Sequence, residues 1–217
     1  MAADPRLRFR ELWHRLSAAG RSDAPFDDLA AAYAEPGRAY HTLDHVLDCL
    51  SRLDEARDVP PERDVPKRDL IEAAIWFHDV VYDPRRSDNE KRSGEWANRV
   101  LSAAGISEQS VARVQGLVHM TDHSTETTDP AGRLLCDIDL SILGAPPAEF
   151  DAYQDRIREE YAWVPESAYR AGRAAVLSGF LARPRLYLTD RYYDRYEAAA
   201  RGNLRRALDG LKARGGS

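Results

Sequence analysis

Apolar residues recur at spacings of three and four almost throughout this chain, and no stretch shows the strict alternation of a half-buried strand. That period dictates an all-α fold. The segments read as helices over 7–19, from Pro25 to the Pro36-Gly37 stop, and over 43–56. A proline-rich loop over 59–66 follows. The stretch 67–82 is apolar almost all round, so it is expected to be the central buried helix. Further helices are expected over 88–104, from a Ser107 cap to Met120, and over 134–143. Pro146-Pro147, Pro165 and a Thr189 cap start the last three, with a polar loop over 121–132 before them. The sum is roughly nine or ten helices in one domain over 1–217, its core at about 7–210 and its Gly/Ser end frayed.

Composition narrows the class of protein. Hydrophobic residues at 43% and charged residues at 31% can build a buried core. A net charge of −5 argues against a protein that coats nucleic acid, while leaving room for a local phosphate pocket. Cys49 and Cys136 lie in apolar runs and read as buried thiols rather than a disulfide framework. No apolar run approaches the ~20 residues of a membrane span, and the first ten residues lack a signal-peptide core. The expectation is a cytoplasmic protein without a membrane partner, its oligomeric state open. Tyr187, Tyr192, Tyr193 and Tyr196 read as helix packing, because no basic groove accompanies them.

The chemistry concentrates in a few polar residues set among apolar ones. His41 and His45 are four apart, a spacing that places both on one helical face. His78 and Asp79 are adjacent in the most apolar segment of the chain. Asp137 and Asp139 sit in a second one, Leu134-Leu135-Cys136-Asp137-Ile138-Asp139-Leu140. Buried ionisable groups are costly unless paired. One shared cation explains the set economically, and nitrogen with carboxylate oxygen suits Mn, Fe, Co or Zn, or Mg with waters. His119 and His123 repeat the four-residue spacing and offer donors to a second ion, unless the chain leaves the helix between them.

The order His45, His78-Asp79, Asp139 resembles the H…HD…D signature of the HD-domain superfamily of metal-dependent phosphohydrolases. Tyr40-His41-Thr42-Leu43-Asp44-His45 is similar to the YHNxxH segment of cyclic-nucleotide phosphodiesterases in that wider group, with Thr42 in place of Asn. Further segments are similar to a bacterial subgroup of HD phosphohydrolases. They are Phe77 to Pro84, Asn89 to Ser93, Thr121-Asp122-His123, Asp137 to Gly144, Ile157 to Tyr161, Gly172-Arg173 and Asn203-Leu204. The resemblance implies His45, His78, Asp79 and Asp139 as ligands of one or two divalent ions, selecting Asp139 over Asp137; the spacing of His123 and His119 makes them additional candidates.

The resemblance also implies His41 as general acid toward a leaving oxygen. Asp83 and Glu90 are the candidate carboxylates for orienting water. Asp83 stands where guanosine-polyphosphate hydrolases have the second acid of HDxxED, and Tyr82 replaces their Glu. Arg158 and Arg173 lie in subgroup-like motifs and are the candidate phosphate clamps. The implied activity is hydrolysis of a small phosphate ester, nucleotide or otherwise. A di-iron oxygenase of the same superfamily and a non-catalytic metal or nucleotide sensor are the alternatives.

Overall fold

The computed structural model describes residues 4–56, 68–124 and 126–213. Ten α-helices and one 3₁₀ turn form in them, and no strand occurs among the described residues. The helices are α1 (Pro5–Arg15), α2 (Asp23–Tyr33), α3 (Leu43–Glu55), α4 (Arg68–Phe77), α5 (Asn89–Ala103) and α6 (Glu108–Met120). After them come α7 (Pro130–Asp139), the 3₁₀ turn Leu140–Gly144, α8 (Pro147–Glu160), α9 (Glu166–Ala182) and α10 (Asp190–Ala213). The all-helical expectation holds. The expected loop over 59–66 and the expected frayed end lie outside the described residues.

Local chemistry explains the ends. Asp4 accepts from the Arg6 amide at 2.9 Å and Pro5 occupies the first helical position, where its missing N–H costs nothing. Ser107 accepts from the Ser110 amide at 3.3 Å, as its place in the sequence predicts. Thr189 does mark the start of α10, but its hydroxyl donates to Asp137 at 2.6 Å. α7 starts four residues before the expected helix, at Pro130, because Asp129 supplies a cap. Its Oδ1 accepts from the amides of Ala131 and Gly132 at 2.9 and 3.1 Å.

The chain divides into two compact units, one up to Leu135 and one from Cys136 onward. In the first, α4 packs against α1, α3, α5 and α6. Every residue from Leu70 to Phe77 is buried. Trp76 meets Phe9 edge-on at 5.3 Å and Phe26 at 6.1 Å, giving the unit an aromatic centre. Glu72 is the one charged residue of that stretch. Arg8 Nε at 3.0 Å and Arg15 at 2.6 Å satisfy its carboxylate.

In the second unit the 3₁₀ turn packs on α8 and α10, and α9 packs on α10. Gly144 permits the closest approach, since a Cβ there would stand 2.7 Å from the Tyr196 Cβ. Asn203 Nδ2 donates to the carbonyls of Leu143 and Ala145, each at 2.9 Å, and closes the same turn. Tyr187, Tyr192 and Tyr196 form a buried cluster with centroids 5.6–6.4 Å apart, as packing residues should, whereas Tyr193, expected to pack with them, is exposed.

Candidate metal centre

The central helix stops sooner than its apolar pattern predicts. α4 ends at Phe77, and the Val80 amide reaches back only three residues, to the Phe77 carbonyl at 3.2 Å. His78 and Asp79 therefore lie in the turn after the helix, still 2% and 8% exposed. Hydropathy extends the helix through Val80 and Val81, but both lie beyond it, Val80 buried and Val81 half-buried.

Arg38 holds that turn. Its guanidinium donates to the carbonyls of Asp79 (2.7 Å), Val80 (2.9 Å) and His41 (2.9 Å). One buried cation thus satisfies carbonyls left open by the end of α4 and brings the segment before α3 against them. Its charge also lies 5.3 and 5.6 Å from the ring centroids of Tyr33 and Tyr82. Arg38 was not singled out from the sequence. An arginine three residues before a histidine has no periodic signature.

The His78 ring is fixed by a 2.9 Å contact between Nδ1 and the Ile75 carbonyl. A carbonyl only accepts, so Nδ1 carries a proton, and in the neutral ring Nε2 presents the lone pair. That Nε2 lies 3.2 Å from His45 Nε2 and 3.0 Å from Asp79 Oδ2. His45 Nε2 is 3.7 Å from the same carboxylate oxygen. Cys49, one turn after His45 on α3, is buried, with Sγ 3.8 Å from the His45 ring nitrogens. The donor atoms of His45, Cys49 and His78 all lie within 4.8 Å of one another.

This set fits a divalent cation. Two nitrogens bound at ~2.0–2.1 Å to a tetrahedral ion stand ~3.3 Å apart, close to the 3.2 Å seen here. Imidazole, thiolate and carboxylate are the ligand types of Zn, Fe and Co, and the thiol shifts preference toward softer ions. Cys49 was read from the sequence only as a buried thiol. The signal was there: it follows His45 at the spacing that puts side chains on one helical face.

His41 also reaches this region, by a different route from the one its spacing predicts. α3 begins at Leu43 after an extended Thr42, so His41 precedes the helix. Its ring stacks on Tyr82 at 4.0 Å and lies 6.2 Å from the His45 ring, centroid to centroid. Glu90, in the first turn of α5, is half-buried. Burial pushes its carboxyl up, the charges of Asp79 and Asp122 push the same way, and His123 opposes them. Asp83 instead makes a local turn, accepting from the Arg85 amide at 2.9 Å, while Asn89 brackets its backbone at 3.0 Å on both sides.

The four-residue spacing of His119 and His123 does not make a helical pair, because α6 ends at Met120. His123 adopts a left-handed backbone, φ 53°. His119 is exposed, its ring over Gly94 of α5.

In the second unit Asp137 has its own explanation. Its carboxylate accepts from the Leu188 amide at 2.6 Å and the Thr189 amide at 2.7 Å, anchoring the segment that enters α10. Asp139 is the last residue of α7 and is half-buried. Arg158 donates to the carbonyls of Tyr161 (2.6 Å) and Val164 (3.3 Å) and pairs with Glu166 at 3.1 Å. Arg173 donates to Gln154 Oε1 at 3.0 Å and to the Tyr153 hydroxyl at 2.9 Å.

Compared with protein-family models, curated proteins and solved structures, the chain finds no match. No described helix is long and apolar enough to cross a membrane.

Proposed function

We propose that this chain is a metal-dependent phosphohydrolase of the HD type, acting on a small phosphate ester. The observation that carries the reading is the convergence of His45 Nε2, His78 Nε2 and Asp79 Oδ2, all on buried residues, within 3.0–3.7 Å. The order of these residues in the sequence is the one the HD resemblance requires. His45, His78 and Asp79 hold the ion in this account, with Cys49 beside them. The sequence order adds Asp139 as a further carboxylate ligand. A divalent ion bound there supplies Lewis acidity toward a phosphoryl oxygen and lowers the pKa of water.

The chain's own residues supply the rest. His41, stacked on Tyr82 and tied through its carbonyl to Arg38, is the residue assigned to protonating a leaving oxygen. Glu90 is the carboxylate assigned to orienting the attacking water. A second ion would recruit His123, which lies near enough to Glu90 to act on its carboxyl.

The test is a screen of phosphomonoesters and phosphodiesters, p-nitrophenyl phosphate and its bis ester first, with Mn, Fe, Co, Zn or Mg added singly. Turnover that needs one of these ions and disappears in His78→Ala supports the reading. Metal binding without turnover of any ester overturns hydrolysis and favours a sensor. Two irons per chain with oxygen consumption favour the oxygenase.

A further inference from the structure

The second unit carries a cavity of about 270 Å³ at the junction of α8, the turn after it and α9, lined by Ile157, Tyr161, Val164, Tyr169, Arg173 and Val176 among others. An apolar cavity of ~150 Å³ is enough to hold benzene, so a two-ring or branched aliphatic body fits this one. The walls leave apolar surface in water. Val176 is 49% exposed, and Trp163, also 49% exposed, stacks on Tyr161 with centroids 6.4 Å apart.

The polar end of the cavity is Arg173. Its two side-chain partners, Gln154 Oε1 and the Tyr153 hydroxyl, are both uncharged. No carboxylate pairs with it among the described residues, whereas nearby Arg158 has Glu166 at 3.1 Å. A half-buried guanidinium normally finds an anion. Beside it, Gln154 Nε2 is buried without a hydrogen-bond partner. The amide cannot be turned to relieve this, because Arg173 Nε requires the oxygen. A cation with no carboxylate partner among the described residues thus stands at the edge of an apolar cavity, and the amide that accepts from it has its own buried donor without an acceptor.

We propose that this cavity binds a small organic anion, an aromatic or branched aliphatic body bearing a carboxylate or sulfonate, with the body against Tyr161, Tyr169 and Val176 and the charge on Arg173. The reading stands apart from the metal centre and from phosphate-ester hydrolysis. One guanidinium with largely apolar walls suits a monoanion with a hydrophobic body better than free phosphate.

The probe is 1-anilinonaphthalene-8-sulfonate, compared with neutral N-phenyl-1-naphthylamine, titrated by fluorescence against the whole chain. One site per chain is expected, with the sulfonate at least ~10-fold tighter, as a charge-assisted hydrogen bond implies. Gly172 lines the cavity, and a Cβ there meets nothing within 4 Å, so Gly172→Leu is chosen to add bulk at the cavity wall. That variant is expected to weaken both probes at least ~10-fold, and Arg173→Met to weaken only the sulfonate, on the charge argument. Circular dichroism checks that both variants fold. Equal binding of the two probes, or unchanged affinity in both folded variants, overturns the proposal. A dimer in sedimentation that buries Trp163 and Val176 and dissociates in Val176→Asp overturns it too, by making a second copy the occupant.

Discussion

At His78 one hydrogen bond decides what the ring can do. Nδ1 donates to the Ile75 carbonyl, so the neutral ring turns the lone pair of Nε2 toward His45 and Asp79, where an ion would be shared. Cys49 adds a soft donor. Cys49→Ala is therefore expected to lower zinc affinity at least ~10-fold while changing manganese affinity little, measured by competition with a chelating dye. Equal losses for both ions would remove Cys49 from the ligand set. His41→Ala is expected to keep its metal and lose most turnover, read as metal content and kcat side by side. Loss of metal in that variant would make His41 a ligand instead. Most of these residues were legible in the sequence, because a histidine or aspartate in an apolar run stands out. Cys49 carries only the signal of its spacing from His45 and otherwise passes for core, while the work of Arg38 on carbonyls leaves no pattern at all.

At the scale of elements, the boundaries carry the information that periodicity lacks. The 67–82 pattern is continuous, yet α4 ends at Phe77 because Arg38 satisfies the carbonyls of the turn that follows. Arg38→Met should keep the helices but lose metal affinity and thermal stability together, with circular dichroism and metal titration as the readouts. α7 offers a cleaner test. Asp129 caps it and pairs with Arg113 at 2.6 Å, and the hydrogen bond from that guanidinium first, then the amides of Gly132 and Ala131, brings its carboxyl down to about 2. A carboxyl held below its unfolded value stabilises the fold above that value and ceases to as pH falls through the folded one. The contribution is full above about pH 4 and lost between about pH 4 and 2. Asp129→Asn should cost about 1–2 kcal/mol at pH 7 by denaturant melts, and the gap to the parent should close across that window. A gap that persists at pH 2 would mean that capping geometry, not charge, carries the effect.

At the scale of the molecule, helical class and helix count were legible in the sequence, because period and proline punctuation persist along the chain. The division after Leu135 was not, since it falls inside α7, a helix whose apolar pattern runs straight through it. A buried donor cluster binds its ion only when folded, so ion binding adds to stability. The melting temperature should rise with added Zn or Mn and fall with a chelator, and in His78→Ala it should respond to neither. The most direct measurement is the metal content of protein purified without a chelator or a polyhistidine tag, wild type beside His78→Ala. The account predicts one or two transition ions per wild-type chain and a loss of metal in the folded variant. No ion in the wild type, with none taken up from Mn, Fe, Co, Zn or Mg, would contradict it and leave the His45–His78–Asp79 cluster as a polar core that satisfies itself.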